Sequence, residues 1–421
     1  MNWVYLGMLL VALAVLFTLL GTLVWAPGDH GNTFLLAGSG DATISYSSDA
    51  ETWSESVDED GNTPFGDAGN ALAVNWGRGL WVVGGVNDDT PTKPLAWSVD
   101  GKTWTYGTGS NFGSTSESLG RVVRYADGIW VAGGTTATSS LPKILWSSDG
   151  KAWNNTTGGA FGTGSSGTCS EVFYGGGLWL ATGNDGSSGA KIWWSNNGKN
   201  WNAATGSPFG TAANDSGGRF AYGNSRYVNG GTNTTTAGEI MWYSDNGKAW
   251  TAGTHPFGDA VVYDVEYYGG IFVAGASWAS DGDNILAYST DGITFTAATG
   301  QGTLASGFYI DKILPPTDGF WLALGYDATE QAGLIYRSTD GMEWTKLSLT
   351  DFFPGPNSLI QTGITGKYNG NFRTVVAGKA VNSTNIYWTE DGETFTAANN
   401  SPFGETISDI ILEARWAPVP N

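Results

Sequence analysis

Carboxylates are the only groups in this sequence numerous enough to suggest chemistry. The chain has 39 Asp and Glu residues against 19 Lys and Arg, but only two histidines and one cysteine. So few histidines and cysteines exclude most zinc sites, and they leave little acid–base chemistry to imidazole. Paired carboxylates can hydrolyse glycosides, and clustered ones can bind Ca²⁺. The spacing of the acidic residues therefore decides what they can do.

An acidic or amide residue recurs eight times in one motif, with Ser or Thr two positions before it and an aromatic residue four positions after it. Successive copies are 45–51 residues apart. The acidic or amide residues are Asp49, Asp100, Asp149, Asn197, Asn246, Asp291, Asp340 and Asp391. The aromatic residues are Trp53, Trp104, Trp153, Trp201, Trp250, Phe295, Trp344 and Phe395. Such even spacing predicts one structural module repeated along the chain.

Each copy has the pattern of a strand, a tight turn and a second strand. The Asp-Gly or Asn-Gly pair supplies the positive φ angles that a short hairpin needs. In the first copy Ala50 replaces the glycine, which predicts a strained or differently shaped turn. The carboxylate can accept hydrogen bonds from backbone N–H groups of its own turn. The eight residues are therefore interpreted as structural and not as catalytic acids.

Two further apolar stretches precede most hairpins, so one repeat holds four strands in about 49 residues, the size of a propeller blade. Only one strand, over 33–38, precedes the first hairpin, and only one, over 407–412, follows the last. The C-terminal strand is therefore predicted to complete the first blade. The predicted fold is all-β, an eight-bladed β-propeller with four-stranded blades closed by its N- and C-terminal strands.

The motif Ser-x-Asp-Gly-x-x-Trp, for example Ser98, Asp100, Gly101 and Trp104, resembles the Asp-box or BNR repeat of sialidases and related propellers. That family usually has one more residue between the Asp and the Gly. The resemblance implies a structural turn between the third and fourth strands of a blade. None of the eight arginines lies in the Arg-Ile-Pro context of the sialidase site, so the resemblance implies a scaffold without that site.

A Phe-Gly pair follows the fourth strand in six repeats, where the chain returns to start the next blade. The predicted role of these phenylalanines is to fill the gaps between blades, and the alternative is stacking against a ligand. They are Phe65, Phe112, Phe161, Phe209, Phe257 and Phe403.

The net charge of −20 makes nucleic acid an improbable partner. Solubility outside the cell explains the acidity, and a basic or cation-rich partner is the alternative. Two acidic loops, 87–89 and 281–284, carry oxygen ligands suited to Ca²⁺ but lack the spacing of a known calcium loop. The sequence predicts no catalytic residues and no cofactor, with calcium as the one alternative.

Residues 3–25 carry no charge and would span roughly 34 Å as a helix, enough for a hydrocarbon core of about 30 Å. Trp3, Tyr5 and Trp25 lie where aromatic rings favour the membrane interfaces. Residues 1–27 are therefore predicted to be a transmembrane anchor, and 28–421 the propeller. The alternative is a cleaved signal peptide, although no basic residue precedes the apolar run. We expect the N-terminus inside and the propeller on the extracytoplasmic side.

Three functions fit these features. The first is a scaffold or interaction subunit of a larger membrane complex, photosynthetic or respiratory for example, or of a virion. Asp-box propellers that act as assembly factors, for example for photosystem II, give this role precedent. The second is an ectodomain that binds or hydrolyses glycans. The third is a structural surface-layer protein.

Overall fold

The computed structural model describes residues 33–417 with gaps in the connecting segments, at 110–111, 114–117, 137–142, 160, 162–166, 185–190, 207, 211, 213–214, 237, 278–283, 303, 305–306, 318, 349–352, 354–357, 381–384 and 405–409. The predicted anchor over 1–27, with Trp3, Tyr5 and Trp25, lies outside the described residues. Within them, no helix is long and apolar enough to span a bilayer.

Every regular element in the described residues is a β-strand, and the strands form consecutive antiparallel units of four. The strands of the first half are β1 (Thr33–Ser39), β2 (Ile44–Ser47), β3 (Ser54–Glu55), β4 (Val57–Asp58), β5 (Asn70–Gly77), β6 (Leu80–Val86), β7 (Leu95–Ser98), β8 (Thr103–Tyr106), β9 (Thr108–Gly109), β10 (Leu119–Ala126), β11 (Ile129–Thr135), β12 (Ile144–Ser147), β13 (Ala152–Asn155), β14 (Thr168–Gly175), β15 (Leu178–Asn184), β16 (Ile192–Ser195) and β17 (Asn202–Ala203). The strands of the second half are β18 (Ser216–Gly223), β19 (Arg226–Thr232), β20 (Met241–Ser244), β21 (Thr251–Ala252), β22 (Val262–Tyr268), β23 (Ile271–Ala276), β24 (Leu286–Ser289), β25 (Thr296–Ala297), β26 (Tyr309–Leu314), β27 (Trp321–Asp327), β28 (Ala332–Ser338), β29 (Thr345–Lys346), β30 (Leu359–Tyr368), β31 (Asn371–Lys379), β32 (Ile386–Thr389), β33 (Thr396–Ala397) and β34 (Ile410–Ala417).

We number the four-stranded units 1 to 8 along the chain. Unit 1 has the order β3-β2-β1-β34, and units 2 to 8 begin at β5, β10, β14, β18, β22, β26 and β30. One bridge between Thr135 and Thr168 also joins units 3 and 4. The first strand of units 2 to 8, and β34 in unit 1, is called the inner strand. The prediction of an all-β fold with four strands per repeat is confirmed.

The last strand pairs antiparallel with the first, Leu36 opposite Ala414 and Thr33 opposite Ala417. The strand that the sequence predicts over 407–412 therefore continues to 417, and its described part begins at 410. Residues 405–409 are outside the described part of the chain.

Hydrophobic clusters hold neighbouring units together. Each cluster combines apolar residues of two successive units, and each contains one aromatic residue of the repeated motif. One of them joins the last unit to the first, where Trp53 packs with Val375, Ile386 and Phe403. Each unit is too small to bury both faces alone, so stacking on its neighbours supplies the core.

Connecting segments cover the outer edges of units 1 to 7. After leaving one unit, the chain runs parallel to the outer strand of the next, so that Val57 N–H donates to the Lys102 carbonyl at 2.9 Å. Thr108 N–H donates in the same way to the Lys151 carbonyl at 2.9 Å, and Asn399 N–H donates to the Glu51 carbonyl at 2.8 Å. These bonds occupy backbone groups that would otherwise form exposed strand edges.

Candidate functional site

The repeated acidic residues lie in the turns between the third and fourth strands. In unit 3, Asp149 Oδ1 accepts hydrogen bonds from the backbone N–H groups of Lys151 and Ala152, both at 2.9 Å, and from Ser147 Oγ at 2.9 Å. Ser147 Oγ in turn accepts from Gly150 N–H at 2.9 Å. A side-chain oxygen accepts the same pair of backbone bonds in all eight turns, at Asp49, Asp100, Asp149, Asn197, Asn246, Asp291, Asp340 and Asp391.

These bonds stabilise the ionised carboxylates. Partial burial alone would raise the pKa of Asp391, but bonds from Thr394 and Glu393 outweigh it and lower that pKa to about 2. The pKa values of the other five turn aspartates are lowered for the same reason. A general acid needs the opposite shift, so these geometries favour a structural role.

The aromatic residues of the motif lie between units. Seven of them are buried, and Phe395 is partly buried. Trp153 of unit 3, for example, packs with Leu80, Val82 and Leu95 of unit 2.

The six predicted gap-filling phenylalanines are fully buried in the same clusters. The structure adds a seventh, Phe353, at the contact between units 7 and 8. Phe353 has φ of 48°, and Phe65, Phe161 and Phe209 also have positive φ, between 61° and 72°. The sequence analysis missed Phe353 because a proline, and not a glycine, follows it.

The two predicted calcium loops differ in how far the structure describes them. In the first, Asn87 Oδ1 accepts a bond from Thr90 N–H at 2.6 Å. Of the second, only Asn284 belongs to the described residues. Among those residues, no group of three or more His, Cys, Asp or Glu is placed to hold a metal ion. Calcium binding stays a prediction.

A charged cluster that the sequence analysis did not identify lies on the inner strands. These strands carry β-bulges, for example between Cys169 and Glu171 in β14. Beside the bulges of units 4 to 7 stand Glu171, Arg219, Asp264 and Lys312, whose charges alternate in sign.

Arg219 links three units. Its Nη1 lies 3.8 Å from Glu171 Oε2 in unit 4, and its Nε lies 3.7 Å from Asp264 Oδ1 in unit 6. Arg124 of unit 3 binds the other Glu171 oxygen at 3.0 Å. These charges therefore connect inner strands that belong to different sheets.

Lys312 extends the cluster to unit 7. Its Nζ donates to Asp264 Oδ2 at 2.9 Å and to Glu266 Oε1 at 2.8 Å. Burial would lower the pKa of Lys312, but the two carboxylates raise it. Asp311, at the bulge of β26, has no ion pair in the described residues, and burial raises its pKa to about 6.

A cavity of about 260 Å³ opens beside this cluster. Its charged lining consists of Arg121, Arg124, Arg219, Glu171 and Glu413. Three cations face two carboxylates, although the whole chain carries −20. Burial would lower the pKa of Arg219, but nearby carboxylates, chiefly Glu171, raise it above its ordinary value. A larger surface groove of about 500 Å³ lies beside the structural turn of Asp340 and contains no comparable cluster of cations.

The charged cluster on the inner strands of units 4 to 7 could have been found by aligning the repeats. Glu171, Arg219, Asp264 and Lys312 occupy one equivalent position, next to the apolar residue that enters the core. The turn residues are nearly the same in every repeat, whereas this position changes from one unit to the next.

No protein-family model matches the chain, and no curated protein matches it. Among solved structures, a protein from Lactobacillus plantarum is similar with 12% identity and a TM-score of 0.50, covering 92% of this chain and 99% of that one. The computationally designed Ika8 protein is 12% identical, with a TM-score of 0.49 and coverage of 80% and 88%. The WD40 β-propeller domain of Doa1 is 13% identical, with a TM-score of 0.42 and coverage of 73% and 88%. At 12% identity the likeness to the Lactobacillus plantarum protein concerns the fold alone.

Proposed function

We propose that the chain is a closed eight-bladed β-propeller in which each four-stranded unit is one blade. Pairing of β1 with β34 and packing of Trp53 against unit 8 support closure. Arg373 of unit 8 adds a further contact, since its Nη1 lies 2.7 Å from Glu51 Oε1 in unit 1. Asn400 also holds the backbone of Trp53 through bonds of 3.0 and 2.8 Å.

The turns support a relation to Asp-box propellers. The Asp of the motif bonds to backbone N–H groups of its own turn, and the aromatic residue packs towards the preceding unit. We therefore interpret Ser-x-Asp-Gly-x-x-Trp as a shortened Asp-box.

The proposed function is that of a non-catalytic scaffold, an interaction subunit of a larger membrane complex held there by residues 3–25. The observation that carries this proposal is how the carboxylates are used. The recurrent ones bind the backbone of their own turns, and Glu171, Asp264 and Glu413 each lie against a cation. Carboxylates held in this way fit a rigid scaffold better than a catalytic acid–base pair.

Native purification tests the scaffold role. The full-length chain, tagged at its C-terminus, is extracted from its native membranes in mild detergent, and its particle mass is measured. We expect a particle of defined composition that contains the chain and a partner. A matched variant without residues 1–27 is expected to leave the membrane fraction and to lose the partner. A full-length chain that migrates alone contradicts the proposal.

A further inference from the structure

Arg121, in the inner strand of unit 3, is positioned by a hydrogen bond that leaves its terminal nitrogens unused. Its Nε donates to Thr135 Oγ1 at 3.1 Å, and that hydroxyl lies 3.0 Å from Thr168 Oγ1. Neither terminal nitrogen of Arg121 has a carboxylate or other acceptor among the residues that the structure describes. The guanidinium is thus fixed at one side and open towards the cavity.

Two further guanidinium groups in the cavity wall also have spare donors. The contacts of Arg219 with Glu171 and Asp264, at 3.8 and 3.7 Å, are longer than direct hydrogen bonds. Arg124 uses Nη2 for Glu171 at 3.0 Å and directs Nη1 to the Val123 carbonyl at 3.3 Å. Three planar donor groups therefore surround one cavity and have few acceptors.

We propose that this cavity binds a small tetrahedral oxyanion, a phosphate or sulfate group, through Arg121, Arg124 and Arg219. Guanidinium forks match phosphate oxygens in charge and geometry. A tetrahedral anion presents a separate oxygen to each of three arginines, whereas a carboxylate has only two. A volume of about 260 Å³ accommodates such a group with ordered water.

This site goes beyond the scaffold role, which does not require it. An anion bound at Arg121 and Arg219 would bridge the inner strands of units 3 and 5. It would also supply acceptors to the terminal nitrogens of Arg121, which have none among the described residues.

Calorimetry on the full-length chain in detergent, at low ionic strength, tests the site with inorganic phosphate and sulfate. We expect saturable binding to the unmodified chain. Arg121→Gln is expected to weaken it by about tenfold or more, because one charged fork is lost. Thr135→Val keeps the charge of Arg121 and removes only the hydrogen bond that anchors its Nε. The loss of anion affinity should therefore be smaller than in Arg121→Gln. Arg78→Gln is the control, since the one side-chain hydrogen bond of Arg78 in the described part of the chain goes to the Ser148 carbonyl, at 3.0 Å.

Melting temperature and circular dichroism establish that each variant is folded. No saturable heat with phosphate or sulfate, or unchanged affinity in folded Arg121→Gln, overturns the proposal. Acetate that binds as tightly as phosphate contradicts the tetrahedral geometry. Glycerol phosphate distinguishes the source: tighter binding than inorganic phosphate supports a phosphate group carried by a larger ligand, and equal binding supports the free anion.

Discussion

At the scale of single residues, hydrogen bonding decides what a carboxylate does in this protein. Asp149 and its equivalents accept bonds from the backbone of their own turns, which favours the ionised form. Asp311 lies among other charges without an ion pair in the described residues, and burial favours its neutral form. The same side chain thus has opposite pKa shifts in two environments.

Replacing Asp149 tests the turn. Asp149→Ala removes the acceptor of two backbone N–H groups and should lower the free energy of unfolding by about 1–2 kcal/mol. Asp149→Asn should cost much less, because Asn197 and Asn246 accept the same bonds in two other turns. Urea denaturation measures both. Equal losses for the two variants would show that the side-chain oxygen is not what stabilises the turn.

The pKa shift of Asp311 predicts that its contribution to stability depends on pH with the opposite sign to that of the turn aspartates. Its pKa rises from 3.8 to about 6 on folding, so the folded state binds the proton more tightly and gains stability as pH falls through that interval. The pKa of Asp391 is lowered to about 2, so its contribution to stability is lost only as the pH falls below the pKa of the unfolded state. Asp311→Asn should therefore stabilise the fold at neutral pH by about 1–2 kcal/mol, allowing for partial exposure, and by less near pH 4.

The measurement is the free energy of unfolding of both chains at neutral and acid pH. A stabilisation by Asp311→Asn that does not change with pH would contradict this account of Asp311.

At the scale of the elements, the hairpins could be predicted and the inner strands only partly. The turn residues and the aromatic residue lie within a few positions of one another in every copy, so the repeated motif predicts the hairpins. The charged cluster could not be recognised from local spacing, because its members are about one repeat apart. The last strand extends beyond its predicted end at Leu412, where the apolar run of the sequence stops. Glu413 and Arg415 continue it in alternation with Ala414, since one face of the strand meets the charged cluster.

The first turn shows that a hairpin can keep its shape without glycine. Ala50 has φ of 67°, and the turn retains the bonds of Ser47 and Asp49 that the other copies make. The expectation of a differently shaped turn was therefore wrong. The backbone conformation there is one that favours glycine, so the expectation of strain stands.

Ala50→Gly should stabilise the protein by about 1 kcal/mol, because glycine adopts positive φ without a steric penalty. Gly341→Ala is the matched variant in the seventh turn, where φ is 75° and an added Cβ would lie 2.7 Å from Ile271 Cδ1. Gly341→Ala should therefore lower the melting temperature of the protein. Thermal unfolding of both variants measures the effects, and a destabilising Ala50→Gly would mean that burial of the Ala50 methyl outweighs the strain.

At the scale of the whole molecule, neighbouring units depend on one another for a core. Motif aromatics and phenylalanines fill the space between units, while the ion pairs of Arg219 and Lys312 join the inner strands of units 4 to 7. The outer edges of units 1 to 7 are covered by the connecting segments. The closed propeller that we propose would present its surfaces to a partner without internal rearrangement.

Closure by the C-terminal strand is the claim on which the account depends most. Hydrogen exchange of the full-length chain, read by mass spectrometry on peptides covering 33–39 and 410–417, tests it directly. We predict that both strands exchange together, as slowly as the strands within the other units, because Leu36 and Ala414 are partners in one sheet. Rapid exchange of 410–417 beside a protected 33–39 would contradict the closed propeller.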